Sequence, residues 1–262
     1  MTLTVAGLQH AGEPGDVQAN LATITTAATL ARHQGAELLV TPEMFVTGYN
    51  IEDDLGPLAA ADLDVAIAEI ARSVGIGIVA GLPEVAPDGG LYNTALLVDD
   101  SGAELARYRK THLFGDLDRS LFVPGEVLPP PVLFRGVRVS LLICYDVEFP
   151  ETVRRAALAG AELIIVPTAQ MEPFSFVAEQ LIRTRAWENQ AYVAYVNRCG
   201  AEQELTYVGR SSIVSPYGEV LASLSATDTG LMTASIDTDV VARARVENPY
   251  LDDLRPQLYG ES

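Results

Sequence analysis

Apolar residues along the chain follow two alternating patterns. Short runs rich in Val, Ile and Leu, typical of buried strands, are separated by longer segments whose apolar residues recur at the helical period. This alternation predicts an α/β fold in which helices connect the strands. The predicted strands cover residues 3–9, 37–41, 76–81, 92–98, 104–109, 137–143, 163–166, 192–197, 210–214, 220–224 and 231–236. The predicted helices cover residues 16–33, 62–73, 150–160, 176–190 and 237–246.

Two segments show neither period. Residues 111–131 contain two glycines and several prolines, which predicts a packed loop. An irregular tail is predicted from about residue 247. The glycines of residues 75–81 lie inside an apolar run, which indicates close backbone packing rather than a nucleotide-binding loop. Because no internal repeat or domain linker is evident, the sequence predicts one domain over residues 1–262, with its strands divided between two sheets.

The chain is strongly acidic, with 35 acidic against 17 basic side chains and a formal net charge of -18. Nucleic acids and anionic membranes both attract clustered positive charge, so this balance predicts neither as a partner. No apolar run is long enough to cross a bilayer, and the first residues lack the pattern of a signal peptide. The sequence therefore predicts a cytoplasmic protein whose partner is a small molecule.

Three reactive side chains closely follow predicted strands, where α/β folds commonly build their sites. They are Glu43, Lys110 and Cys144. Lys110 is the only lysine in the chain, and a compact ammonium group enters cramped pockets that a planar guanidinium does not fit. Cys144 precedes a turn, where backbone N–H groups can stabilise an oxyanion.

Each of these residues also has a simpler interpretation. Glu43 is equally consistent with a solvated surface charge, and Lys110 and Cys144, each taken alone, are more typical of a solvated charge and of an inert core thiol. A Cys–His dyad with His10 or His112 as the base stays open at this point. The histidines lack the spacing of metal ligands and the two cysteines are too few for a cysteine zinc site, so no metal centre is predicted.

Taken together and in order, the three residues and their neighbours resemble the catalytic triad of the nitrilase superfamily, the carbon–nitrogen hydrolases. The resemblance implies a nitrilase-like fold, a four-layer αββα sandwich of two mixed sheets. It also implies homodimers or larger assemblies built through the outer helices and the tail, and no metal or organic cofactor. The matching motifs are Pro42-Glu43 with Thr47-Gly48-Tyr49, Tyr108 to Phe114, Cys144-Tyr145-Asp146 with Phe149-Pro150-Glu151, and residues 185–189.

The resemblance also implies roles for individual residues. Glu43 would be the general base, Cys144 the nucleophile and Lys110 a donor to the oxyanion. Many members carry a second glutamate after the lysine, and its place here falls on Asp118, which is one methylene shorter and competes with Asp116. The residues expected to line the substrate pocket are Tyr49, Tyr145, Phe149, Thr168 and Ala169.

The motifs look more like the amidase branch than true nitrilases, which usually have tryptophan where Tyr145 stands. We therefore expect a cysteine-dependent amidase that hydrolyses small aliphatic primary amides to carboxylic acid and ammonia through a thioester intermediate. The alternatives are an N-carbamoyl or omega-amide hydrolase, then a nitrilase or a non-catalytic binding member. A non-catalytic member would be expected to lack one of the three site residues, and none is missing.

Overall fold

The structure, a computed structural model, describes residues 1–51 and 54–258. Its strands are β1 (Thr2–Gln9), β2 (Leu38–Val40), β3 (Gly77–Val85), β4 (Leu91–Val98), β5 (Glu104–Arg109), β6 (Val132–Phe134), β7 (Val137–Leu141), β8 (Leu163–Thr168), β9 (Tyr192–Asn197), β10 (Ala201–Glu202), β11 (Leu205–Thr206), β12 (Ser212–Val214), β13 (Val220–Ser223) and β14 (Gly230–Asp237). Its α-helices are α1 (Val17–His33), α2 (Leu55–Ala59), α3 (Leu63–Val74), α4 (Gly115–Leu121), α5 (Pro150–Leu158), α6 (Ile182–Asn189) and α7 (Thr238–Glu247).

The strands form two mixed sheets of six strands each, in the orders β14-β1-β2-β3-β4-β5 and β13-β12-β9-β8-β7-β6. In each sheet three neighbouring strands are parallel, β1 to β3 in the first and β7 to β9 in the second. The other neighbours pair antiparallel. Parallel neighbours need long crossover connections, which accounts for the alternation of strand and helix patterns along the chain.

Helices cover the outer faces of the two sheets. One cluster of buried apolar side chains joins the sheets, with Val5 and Val79 from the first and Val139 and Val166 from the second. A separate cluster packs α1 and α3 against the first sheet, while α6 contacts β9 of the second. Each fully buried Val, Leu or Ile contributes about 1.5–3 kcal/mol to this packing. The expected layered α/β fold with two mixed sheets is confirmed.

The predicted loop over residues 111–131 was wrong in its first half, where α4 forms. The helix begins at Gly115, in the left-handed region at φ 61°, so the residue that suggested a loop starts the helix instead. Its first turn is held by Asp118, whose carboxylate accepts a hydrogen bond from the Phe114 N–H at 2.8 Å. Because this contact involves a single polar side chain, it produces no periodic apolar pattern in the sequence from which the helix could be predicted.

Other short elements were also not predicted, because two to five residues are too few to show a period. They are α2, β6, β10 and β11. The tail forms a short 3-10 turn at Pro256–Leu258, and residues 259–262 lie outside the described residues. Across residues 1–51 and 54–258, no helix combines the length and the apolar character needed to cross a membrane.

Candidate functional site

The three strand-end residues lie at one edge of the sandwich. Glu43 follows β2, Lys110 follows β5 and Cys144 follows β7. The Glu43 N–H donates to the Thr168 carbonyl oxygen at 3.3 Å, which ties the end of β2 in the first sheet to the end of β8 in the second. The structure therefore brings together the side chains that the strand ends predicted.

Two glycines allow the backbones of this site to pack closely. A Cβ on Gly81 would lie 2.8 Å from the Cα of Glu43 and closer still to backbone atoms on either side of it. A Cβ on Gly125 would lie 2.4 Å from the Arg109 carbonyl oxygen. The Gly125 N–H donates to the Lys110 carbonyl oxygen at 2.8 Å. Any side chain at either glycine would displace the segment that carries a site residue.

Lys110 is held between two buried carboxylates. Its Nζ donates to Glu43 Oε1 at 2.7 Å and to Asp118 Oδ2 at 2.6 Å. Asp118 thus reaches the ammonium group despite its shorter side chain, because α4 carries it toward the lysine. The Tyr49 hydroxyl donates to the other oxygen of Asp118. Asp116 is exposed and lies 3.8 Å from Arg119, so it is not part of this cluster.

The charges in this cluster set its protonation states. Burial alone would lower the pKa of Lys110, but Glu43, Tyr49 and Asp118 together raise that pKa well above its ordinary value. Burial raises the pKa of Glu43, and the ammonium group opposes that rise. Burial and the charge of Glu43 raise the pKa of the Cys144 thiol well above its ordinary value. The resting thiol is therefore protonated, and a base must remove its proton before it can attack.

Cys144 has an unusual backbone conformation. Its φ is 44°, in the left-handed region that residues other than glycine rarely adopt. It starts the 3-10 turn Cys144–Glu148, separated by two residues from the end of β7, and Sγ lies 3.7 Å from Gln170 Oε1. Such strain at a turn is typical of functional sites. Cys199 is also buried, and its Sγ lies 3.7 Å from the Thr229 hydroxyl.

Asp146 connects the segment after β5 to the turn after β7. Its buried carboxylate accepts hydrogen bonds from Ile143 N at 3.1 Å, the Tyr108 hydroxyl at 2.8 Å and the Thr111 hydroxyl at 2.9 Å. The backbone N–H of His112 donates to it at 3.0 Å, and the Nδ1 of His112 lies 2.8 Å from the same oxygen. No histidine lines the small cavity that adjoins the Cys144 thiol, and the Nδ1 of His10 accepts from the Gly12 N–H at 2.9 Å, so the structure gives no support to a Cys–His dyad.

The substitution Asp146→Asn is expected to lower the free energy of unfolding by about 2 kcal/mol, because an amide cannot accept this set of hydrogen bonds. Urea unfolding followed by circular dichroism measures the change. Asp116→Asn serves as the control, since Asp116 is exposed. Equal stability of the two variants would contradict a structural role for Asp146.

A small cavity of about 10 Å³ adjoins the thiol. Three of the five residues predicted for the substrate pocket line it. The other two are not among its lining residues: Phe149 stacks on His112 with ring centroids 4.0 Å apart, and Thr168 is buried with its carbonyl oxygen accepting from the Glu43 N–H. The lining residues are Tyr49, Phe114, Cys144, Tyr145, Glu148, Ala169, Gln170 and Met171.

A wider cleft of about 550 Å³ lies elsewhere, between α5 and residues 128–130. It contains none of the three strand-end residues. A site is identified by its chemistry rather than by its volume, so we place the functional centre at the smaller cavity.

Sequence reasoning missed Asn93 and Glu148. Asn93 lies within β4, and its Nδ2 donates to Glu43 Oε1 at 2.7 Å. The signal in the sequence was a polar residue within a predicted strand that is mostly apolar. Glu148 lies between the motifs of residues 144–146 and 149–151, but nothing in the sequence indicated that it faces the cavity.

Comparisons with known proteins identify the family of the chain. A family model for carbon–nitrogen hydrolases matches residues 3–246. The chain belongs to the carbon–nitrogen hydrolase family. It is 48% identical to "Hydrolase in pqqF 5'region" of Pseudomonas protegens, over 99% of this chain and 92% of that protein. It is 39% identical to an "(R)-stereoselective amidase" of a Pseudomonas species, over 97% of this chain and 92% of that protein.

Solved structures of an amidase from Nesterenkonia sp. share the fold. One has a TM-score of 0.87 and 39% sequence identity, covering 98% of this chain and 95% of that one. In a glutamate-to-glutamine mutant of that amidase, acrylamide has added to the active-site cysteine. A cysteine-to-alanine mutant of it forms a complex with butyramide. The membership makes this chain an enzyme that hydrolyses carbon–nitrogen bonds other than peptide bonds.

Proposed function

We propose that this chain is an amidase that hydrolyses small aliphatic primary amides to carboxylic acid and ammonia through a thioester on Cys144. The observation that carries the proposal is the buried Lys110 ammonium, held by Glu43 and Asp118 beside the thiol. The amidase names of the relatives support it.

In the first half of the reaction, Glu43 accepts the proton of the Cys144 thiol. Glu43 Oε2 is buried and accepts no hydrogen bond within the described part of the chain, so this oxygen is available to take the proton. The thiolate attacks the amide carbonyl carbon, the C–S bond forms, and an electron pair moves to the carbonyl oxygen. An ammonium has three donors and two are engaged by carboxylates, so the third N–H of Lys110 serves the oxyanion, together with the Tyr145 backbone N–H.

The second half releases both products. Protonated Glu43 gives its proton to the amide nitrogen as the C–N bond breaks, and ammonia leaves a thioester on Cys144. Glu43 then removes a proton from water, which attacks the thioester carbonyl. The C–S bond breaks, the sulfur regains its proton, and the carboxylic acid leaves. One carboxylate thus acts alternately as base and acid, which suits a pKa raised by burial.

The size of the cavity favours short substrates. At about 10 Å³ it has room for about one water molecule, so the side chains around it must adjust even for a small amide. Tyr49, Phe114 and Met171 give it mainly apolar walls. These walls fit an alkyl chain of a few carbons better than a peptide.

Ammonia release from propionamide and butyramide tests the proposal. We expect turnover by the wild type and none above background in Cys144→Ala, because the variant lacks the nucleophile. Cys199→Ala is the matched control and is expected to retain activity, since Cys199 lies outside the cavity. N-carbamoyl compounds, omega-amides and nitriles belong in the same panel. A folded wild type that releases no ammonia from either amide would overturn the proposal.

The proposal extends to a single domain that works in the cytoplasm as a homodimer. Support for the dimer comes from apolar side chains left exposed on the outer helices, including Leu158 of α5 and Trp187 of α6. Exposed apolar side chains that recur on neighbouring helices are common at interfaces between subunits. Sedimentation equilibrium measures the assembled mass.

A further inference from the structure

Glu148 is a carboxylate that lines the cavity and has no part in the proposed chemistry. It lies on the same short turn as Cys144, is partly buried, and receives a hydrogen bond from the Gln170 side chain. Within residues 1–51 and 54–258 it forms no salt bridge, the nearby Arg185 guanidinium being engaged otherwise. Arg185 pairs with Glu188 at 2.9 Å and donates to the backbone carbonyl of Glu148 at 2.6 Å.

The charges around the thiol do not balance. Glu43 and Asp118 both contact Lys110, so two carboxylates already share one ammonium. Glu148 therefore adds a third negative charge, and the Arg185 guanidinium near it is already paired with Glu188. Burial raises the pKa of Glu148, while Lys110, Arg185 and the hydrogen bond from Gln170 oppose that rise. A partly buried carboxylate without a salt-bridge partner is unfavourable, and a cation that entered the cavity would relieve the cost.

Other parts of the cavity also suit a cation. The rings of Phe114 and Tyr145 line it and meet edge to face, with centroids 5.1 Å apart. Aromatic faces attract ammonium groups through the ring quadrupole. The carbonyl oxygen of the Gln170 side chain adds a neutral acceptor to the same wall. A positively charged group on the substrate thus meets a carboxylate, an amide oxygen and two rings.

We propose that Glu148 determines specificity by selecting primary amides that carry an ammonium group close to the amide and by rejecting amides that carry a carboxylate. This inference rests on the proposed amidase function and names its substrate class. Glu148 acts on the substrate's charged end, whereas Glu43, Lys110 and Cys144 act on the carbonyl group. Carboxylate-bearing omega-amides and N-carbamoyl amino acids would bring a further negative charge into the cavity and are disfavoured.

Three amides of similar length test the inference: 3-aminopropionamide, butyramide and succinamate. For the wild type we expect kcat/KM to be about tenfold higher for 3-aminopropionamide than for butyramide, and lowest for succinamate. In Glu148→Gln the ratio of 3-aminopropionamide to butyramide is expected to fall about tenfold. A wild type that prefers butyramide, or a ratio unchanged in Glu148→Gln, would overturn the inference.

Two controls make the result specific. Glu69→Gln removes the same charge from an exposed position on α3 and is expected to leave the ratio unchanged. Inhibition of the wild type needs no variant: propylammonium is expected to inhibit butyramide hydrolysis at lower concentration than propionate does, and the reverse order counts against the inference. If none of the three amides is hydrolysed, the amidase proposal itself fails. If butyramide is hydrolysed without a preference for the cation, only the inference fails.

Discussion

Lys110→Arg is expected to lower kcat/KM for butyramide by about 10³-fold, the effect of losing a well-placed oxyanion donor. The Lys110 ammonium is 1% exposed and donates to two carboxylates at 2.7 and 2.6 Å. A guanidinium is larger and planar, so it cannot place one nitrogen between Glu43 and Asp118 and still direct a further N–H toward the oxyanion. Steady-state kinetics with purified, folded protein measures the loss.

The neighbouring residue provides the matched control. Arg109 lies beside Lys110 in the chain, but its side chain is 42% exposed and pairs with Glu84. Arg109→Lys exchanges the same two residue types in the opposite direction at a surface ion pair, where the contribution to stability is small. We expect this variant to keep nearly wild-type activity. Full activity in Lys110→Arg would show that the position requires a positive charge but not a lysine.

The placement of the site was predictable because it depends on strand ends. Glu43 and Cys144 each follow an apolar run, and Lys110 follows the strand predicted over residues 104–109, so all three positions are read directly from the sequence. Parallel strands bring their carboxyl ends to one edge, so residues separated by many positions become neighbours. The number of predicted strands is enough to predict two sheets, although not the order of strands within them.

Other features depended on contacts that no periodicity records. Asp118 reaches the lysine because α4 forms, and that helix has the glycine and charged residues of a loop. Asn93 faces Glu43 because of the register of β4 against β3. Glu148 faces the cavity because the chain makes a 3-10 turn after Cys144. Register and turn geometry are set by packing between distant segments, so the sequence pattern alone does not determine them.

The sequence gives the identity of a site residue but does not determine its protonation state. The sequence shows that a thiol and a carboxylate follow buried strands, but their pKa values depend on how completely each is buried and on which charges surround it. Burial raises the pKa of both Glu43 and Cys144, and the ammonium group opposes both shifts. The resting state therefore keeps the thiol neutral, and the reaction depends on a carboxylate that can accept its proton.

Glu43→Gln is expected to lower kcat for amide hydrolysis by about 10³-fold or more, because the side chain can no longer accept a proton. Glutamine retains an acceptor oxygen for Asn93 and Lys110, so the fold is expected to persist. The charge of Glu43 also raises the pKa of Cys144, and its removal makes the thiolate easier to form at alkaline pH. Alkylation of Cys144 by iodoacetamide is therefore expected to continue while hydrolysis is lost.

The pH profile and a second variant distinguish proton transfer by Glu43 from the effect of its negative charge. The pKa of Glu43 is raised from 4.5, so wild-type kcat/KM falls as the pH is lowered through a value above 4.5, and Glu43→Gln lacks this limb. Asp118→Asn removes the other carboxylate that contacts Lys110 but leaves the base in place. It is expected to cost less activity than Glu43→Gln and to retain the acid limb. Equal losses and identical pH profiles would mean that Glu43 acts only through its charge, which would contradict its assignment as the base.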